Sequence, residues 1–530
     1  MPDGPAGQGP AAAGQTTGTG RFDIVLATIN AKWIHPSLAL RLLKANLGIY
    51  ENRACILEFA LRQPPAEKID PILAARPRIL GLSVSIWNHR ASLELVKALD
   101  EVWGNPGSGY KRPVIIIGGP EVCHIPTECD MIRWADWVIR GDGEDIFRDL
   151  CELLLKKGAA LSGSELSPVI TSLPSIRRVE GKLIETYPAD LLRIDPGYRL
   201  YTDEDLRQKL VYVEASRGCP FGCEFCLSSV EYGPRASRVR EFSPEVFLAE
   251  MDRLIGRGAR TFKFLDRTFN LDISRARRIL EFFLERMEHP IEYPAEHPIK
   301  QLTAAARPEA PFCVHFEMVP SRFPPELRET LTRFPPGSLR LELGIQTLNP
   351  KTAALVNRPG DPERELEVID FLRQHTNAIV HADLIAGLPG EDLASFAAGF
   401  DRLHLARPTE IQLGILKKLP GTPIGRHDEA WGMSYAPDPP YEVLATAALS
   451  ARDLDRVKNF ARFWELIVNR GAFVDLAPVL FPEGEPVFDR FMALADWLLA
   501  RFGRNWGIDR RDLRTALEER AGTGRLLTEK

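Results

Sequence analysis

The sequence has no uninterrupted run of about eighteen apolar residues, the length a helix needs to cross a bilayer, so no membrane partner is expected. It also has no block of Lys or Arg. Its 67 basic and 72 acidic side chains give a formal net charge of −5 over 530 residues. A phosphate-tracking surface normally shows a basic stripe, so no nucleic-acid partner is expected either. Cysteine is sparse: eight in the chain, too few and too scattered for a secreted disulfide framework. Residues 1–20 are Gly, Ala, Pro and Thr with little charge and no apolar core. They lack the regions of a signal peptide and read as a disordered tail, so the expected location is the reducing cytoplasm. An apolar content of 45% suffices for the cores of three or four domains.

What the sequence does have is concentrated in Glu214-Ala-Ser-Arg-Gly-Cys-Pro-Phe-Gly-Cys-Glu-Phe-Cys226, directly after the β-branched run Val211-Tyr-Val213. Three cysteines stand with three and then two residues between them. Thiolates ligate iron–sulfur clusters, and complete ligation of a four-iron cluster takes four of them. Three would leave one iron open to a reacting molecule. Gly218 and Gly222 let the backbone turn tightly and Pro220 stiffens it. Zinc would want a fourth ligand, which the neighbourhood lacks; plain buried cysteines are the other reading. Cys55, Cys123, Cys129, Cys151 and Cys313 have no ligand spacing and read as ordinary thiols.

The spacing and its setting resemble the signature of the radical S-adenosylmethionine (radical SAM) superfamily. That resemblance implies that Cys219, Cys223 and Cys226 hold a 4Fe-4S cluster whose open iron binds SAM, with Phe225 beside the adenine. It also implies one-electron cleavage of SAM to a 5′-deoxyadenosyl radical.

Ahead of this loop, residues 21–155 alternate short apolar runs with helical spacing. Strands are expected at 22–27, 54–58, 79–83, 114–117 and 137–139, and helices at 37–47 and 91–102. This pattern predicts a doubly wound parallel sheet, which binds ligands at the carboxyl ends of its strands. The loops there are Ser83-Val-Ser85, Gly118-Gly-Pro-Glu121 and Gly141-Asp-Gly-Glu144. As residues they could be plain turns. In this order and place they resemble the Rossmann-like cobalamin-binding domain of the cobalamin-dependent radical SAM subgroup. The resemblance implies cobalamin contacts from Ser83, Ser85, Gly118, Gly119, Pro120, Glu121, Gly141, Gly143 and Glu144. An Asp-x-His-x-x-Gly motif is absent, so no axial histidine is expected; Trp33 and His35 are alternative cobalt-face residues, or plain packing.

Residues 156–208 read as a linker with a small hairpin at 176–184. From 209 to 420 six further β/α units follow, with strands expected at 211–214, 261–265, 314–317, 340–344, 379–383 and 411–416. They match a partial radical SAM barrel, (β/α)6. Polar residues at the carboxyl ends of such strands are the ones to inspect: Asp266, Asn270, Glu317, Glu342, Gln346 and Asp383. By resemblance Asp266 reaches the SAM amino group, Glu317 belongs to the same SAM site, and Gln346 with Leu388-Pro389 forms the ribose and adenine pocket. Each carboxylate could equally serve a structural ion pair. A loop at 289–311 with His289, His297 and Lys300 lies over the cavity or on the surface.

Residues 421–530 read as a helical C-terminal domain, with helices at 442–450, 454–469, 487–502 and 511–519 and a dense set of aromatics, Phe460, Phe463, Trp464, Phe473, Phe488, Phe491, Trp497 and Trp506, most of them expected in the core. It looks like the uncharacterised domain that follows the barrel in one bacterial group of these proteins. The implied activity is methyl transfer to an unactivated carbon of a small molecule or peptide. The electron donor would be a flavodoxin or ferredoxin. The alternatives are a cyclase or rearrangement enzyme on the same frame and, less favoured, a tRNA methylthiotransferase or a non-enzymatic cobalamin sensor. The methylthiotransferase would need a second cysteine triad, which is missing.

Overall fold

The structure, a computed structural model, describes residues 21–157, 168–230, 239–289, 312–358, 360–482 and 485–522. The tail at 1–20, part of the linker, and the loop at 290–311 with His297 and Lys300 lie outside the described residues. No described helix is long and apolar enough to cross a membrane.

Strands β1 (Ile24–Asn30), β2 (Ala54–Ala60), β3 (Ile79–Ser83), β4 (Val114–Gly118) and β5 (Trp137–Arg140) are short, mostly apolar runs, and the central ones are buried on both faces. Such runs suit a parallel sheet covered by helices, and the order β2-β1-β3-β4-β5 reverses between β1 and β3. The hairpin expected in the linker is present as β6 (Ile176–Glu180) and β7 (Leu183–Thr186). It is not free-standing: β7 pairs in parallel with β5, and the sheet gains two strands at that edge.

The second sheet has six strands, β8 (Val211–Val213), β9 (Thr261–Phe264), β10 (Cys313–Met318), β11 (Leu339–Gln346), β12 (Ile379–Ala386) and β13 (Glu410–Ile415). All are parallel and run in sequence order. Six is too few to close a barrel. Side chains alternate across the wall: Phe262, Phe264, Val314, Phe316, Leu341 and Leu343 are buried outward under the helices, while Lys263, His315, Glu317, Arg340 and Glu342 face the lumen. The helix Pro244–Gly256 begins as its sequence specifies, with Ser243 accepting from the Val246 N–H and Pro244 in the first turn.

Helices Ala451–Trp464, Phe488–Phe502 and Arg510–Gly522 form the C-terminal region. One expectation there is corrected. Residues 442–450 are not helical: Val443–Ala445 pairs antiparallel with Ser434–Tyr435, so its apolar run serves a strand. Trp506 is 67% exposed and outside the core. The fold is otherwise the expected one, a doubly wound sheet, a six-stranded partial barrel and a helical C-terminal region.

Phe316 stands with its ring 4.4 Å from Phe264 and 4.0 Å from Phe269 in the wall beneath the mouth. Phe316→Ala should destabilise the protein by about 3–5 kcal/mol through the cavity it leaves, as read by denaturant unfolding.

Candidate active site

Beyond β8 the chain passes Glu214 and reaches Gly218, whose φ of 101° opens the cysteine loop. Inside it the Cys226 N–H donates to the Cys223 carbonyl at 3.1 Å. Distant segments fix the loop from both sides. The Glu224 N–H donates to the Val356 carbonyl and its own carbonyl accepts from Ile424. The Asn357 side chain donates to Gly222 O at 3.0 Å, where any Cβ would collide with it. The Glu224 carboxylate is held by His427 Nε2 at 2.9 Å and Arg426 at 2.5 Å.

Cys223 is buried, and Cys219 and Cys226 are half-buried. Burial pushes the Cys219 thiol up to about 11, with the other two thiols adding to it. Burial also raises Cys223, while Arg358, with Nη1 4.0 Å from its sulfur, opposes that. Thiols held neutral in this way become thiolates when a metal supplies positive charge. Among the described residues no three His, Cys, Asp or Glu side chains converge on a single ion. The donor set fits a polynuclear group, in which each sulfur meets a different iron.

At the carboxyl end of β11 Gln346 adopts φ +68°, and its side chain folds over Gly344, where a Cβ would lie 2.5 Å from Nε2. Arg358 donates to the carbonyls of Gly344 and Ile345, so its guanidinium lies between this strand end and the cysteine loop. Three carboxyls share the lumen below. Burial raises Glu317, which pairs with Arg267 at 3.7 Å. Burial opposes ionisation of Glu342 too, but His315 at 3.2 Å and Lys263 at 3.3 Å outweigh it and hold the group down at about 2. Asp383 has no such cation. Burial first, then Glu342 and Glu317, push it up to about 8, and its Oδ1 has no hydrogen-bond partner among the described residues.

Two residues expected to face SAM point elsewhere. Asp266 is wholly buried and accepts from the Ala215 N–H at 2.9 Å and the Ser216 hydroxyl at 2.5 Å. It braces the chain entering the cysteine loop, and burial raises it to about 6. Leu388 is buried in a small core with Val356, Leu416 and Val443, and Phe225 leans on that core. Nothing in the sequence marks Arg358 as a site residue. Glu224 was visible as a charge between two cysteines.

A cavity of about 330 Å³ separates the strand ends of the first sheet from the cysteine loop. Ser83, Gly118, Gly119, Pro120, Gly141, Gly143 and Glu144 wall one side; Ser216, Arg217, Gly218, Ser228 and Arg267 wall the other. Two of these glycines are required by close packing within the protein. Gly119 has φ +107°, and a Cβ there would lie 2.4 Å from Val84 O; at Gly141, φ +102°, it would lie 2.6 Å from Thr186 Oγ1. An apolar floor with bare backbone above it fits a large flat cofactor. Ser85 and Glu121 are not in this wall. Ser85 is buried beside Asn88, whose Oδ1 accepts from its N–H at 2.7 Å, and Glu121 is turned to His89 and Tyr441. Trp33 and His35 are also elsewhere, against Lys209 and Tyr212 of the barrel.

Arg217 joins the two walls. It reaches Glu144 at 2.6 Å, Glu214 at 2.6 Å and Asp142 at 3.6 Å, while Arg240 holds Asp142 at 2.6 Å. Burial raises the Glu144 carboxyl despite this company.

A strand-end cysteine loop on a six-stranded partial barrel is the arrangement of radical SAM proteins. Residues 213–403 match the family model of the Radical SAM superfamily and residues 429–519 that of a protein of unknown function (DUF4080). Residues 213–403 thus form a radical SAM domain. It is 34% identical over 175 residues to an uncharacterised methyltransferase of Pyrococcus horikoshii, covering 31% of this chain and 35% of that one. It thus spans about a third of that relative's length. Among solved structures, the cobalamin-dependent radical SAM enzyme OxsB with aqua-cobalamin bound superposes with a TM-score of 0.59 at 14% identity, over 95% of this chain and 75% of that one. The radical SAM methyltransferase TsrM from Kitasatospora setae, with cobalamin and a [4Fe-4S] cluster bound, gives 0.56 at 16%, over 79% and 78%. These likenesses establish the shared fold.

Because Asp383 keeps its proton to about pH 8 in the native protein but ionises near pH 4 when unfolded, its contribution to stability is lost as pH rises between those values. Asp383→Asn should therefore raise the melting temperature more at pH 8.5 than at pH 5.

Proposed function

We propose that this protein is a cobalamin-dependent radical SAM enzyme that transfers a methyl group to an unactivated carbon. The carrying observation is the cavity between the glycine-lined strand ends of the first sheet and the three-cysteine loop. Two solved enzymes with this fold bind cobalamin, as their names state, and methyl transfer is named for TsrM and for the Pyrococcus relative. When bound, a 4Fe-4S cluster and SAM supply radical chemistry and cobalamin supplies methyl-group transfer.

This chain's residues would bind and orient those groups. Cys219, Cys223 and Cys226 would be the iron ligands. Arg358, a guanidinium beside Cys223, would take the SAM carboxylate as a bidentate partner. Glu317 would accept from the SAM amino group and Gln346 with Asp383 from its ribose. Phe225, backed by the Leu388 core, would cover the adenine. Asp266 would act through Ser216 by holding the strand that presents the loop. Gly118, Gly119, Pro120, Gly141 and Gly143 would carry the corrin edge, with Ser83 beneath it. The substrate would be a small molecule or peptide, and electrons would come from a flavodoxin or ferredoxin.

The test is anaerobic purification with hydroxocobalamin, iron and sulfide supplied, then SAM and a reductant. About four irons and one cobalamin per chain are expected, with 5′-deoxyadenosine and S-adenosylhomocysteine both formed. Replacing Cys219, Cys223 and Cys226 by Ala should abolish iron binding and 5′-deoxyadenosine; a triple variant that still made it would sink the cluster assignment. Bound iron without bound cobalamin would refute the reading of the first domain.

A further inference from the structure

Glu121 follows directly on the Gly118-Gly119-Pro120 turn that walls the cavity, yet its carboxylate faces away from it. His89 Nδ1 lies 2.8 Å from Oε1, and the Tyr441 hydroxyl donates to the same oxygen at 2.7 Å. Both Glu121 and His89 are buried. Tyr441 comes from the DUF4080 segment, so this is a contact between the first domain and the chain beyond the barrel. Its backbone has φ +57°, a conformation that non-glycine residues rarely hold without support. The support is on both sides: its N–H donates to Asp438 O and its carbonyl accepts from Lys418, each at 2.9 Å. Beside it the His124 ring packs on Gly421, leaving no room for a Cβ there.

The same stretch braces the barrel mouth. Val443 packs on Gly387 and Trp431 on Gly390, and Val443 and Leu454 share the core against which Phe225 leans. Residues 431–454 thus touch the cysteine loop, the Gly387–Glu391 turn and the cavity turn of the first domain.

We propose that Tyr441 is a positioning residue: acting through Glu121, it holds the Gly118–Cys123 turn in register with the cysteine loop and so sets the spacing of the two cofactor sites across the cavity. The proposal rests on the reading of the cavity given above.

Tyr441→Phe removes one hydroxyl and leaves the ring. In the full chain, reconstituted anaerobically, hydrogen exchange of the 118–123 amides should quicken by about tenfold, as loss of a hydrogen bond to a charged group predicts. Iron content and 5′-deoxyadenosine formation should stay within about twofold of wild type, since they need no register with the first domain, while S-adenosylhomocysteine formation falls about tenfold. In a Glu121→Ala background the Tyr441 substitution should add less than about twofold, because both act on one contact. Wild-type S-adenosylhomocysteine formation by Tyr441→Phe would overturn the proposal. So would equal loss of both SAM products, which would place the hydroxyl in the barrel's own stability. A wild-type protein that retains no hydroxocobalamin would refute the cofactor reading instead, and the exchange rates would then decide whether Tyr441 holds the turn.

Discussion

Two guanidinium groups and three carboxylates lie together, largely shielded from water, where the first sheet meets the cysteine loop: Arg217 and Arg240 against Asp142, Glu144 and Glu214. Desolvating five charges is expensive, and only mutual pairing offsets it; removing one partner of such a buried set costs about 3–5 kcal/mol. The set therefore tolerates little displacement of one domain against the other. With one carboxylate in excess, the strain falls on Glu144, whose carboxyl burial raises and whose Oε2 has no partner among the described residues. Arg217 is two residues from Cys219, so whatever fixes the guanidinium also fixes the start of the loop. The cavity's two walls are one electrostatic unit.

The lumen below is governed by the same rule with the opposite outcome. Glu342 and Asp383 stand on neighbouring strands and both are largely buried, yet one is held at about 2 and the other pushed to about 8. The difference is the position of the cations and of one imidazole. Lys263 and His315 are spent on Glu342, and Arg340 is spent on His381 and Glu410. Burial and Arg340 hold His381 neutral, down at about 3. Asp383 is left as a neutral carboxyl that can donate a hydrogen bond as well as accept one, directly beneath Gln346 and Arg358. A ligand hydroxyl would find both kinds of partner there.

Most of the fold was legible in the sequence because it is written in local pattern. Runs such as Ile24–Ala27 and Val114–Ile117 are apolar throughout since both faces are covered, and the barrel strands alternate since only one face is. The cysteine loop and the glycine turns were legible for a related reason: residue type alone limits what they can do. Direction was not legible. Ser85 and Glu121 stand in the turns that line the cavity, but Asn88, His89 and Tyr441 decide where they point, and Tyr441 is 320 positions away. Asp266 has the right place at a strand end and is claimed by Ala215 and Ser216. Arg358 acquires its place only when the turn after Pro350–Leu355 folds back onto Cys223.

The Gly387-Leu-Pro-Gly-Glu391 turn shows how a motif can be right for a reason other than the apparent one. Glycines beside a barrel mouth invite the reading that a ligand needs bare backbone. Both have left-handed φ, at +87° and +76°, yet a Cβ on Gly387 would strike Val443 at 2.5 Å and one on Gly390 would meet Leu355 and Trp431 at 3.0 Å. The space is taken by the C-terminal segment. Glu391, buried and hydrogen-bonded to Thr347, then ties the turn to the end of β11, where Gln346 and Arg358 stand. The mouth is therefore shaped from outside, by a segment that contributes no side chain to the cavity wall, and its glycines are as much a docking surface for that segment as a floor for a cofactor.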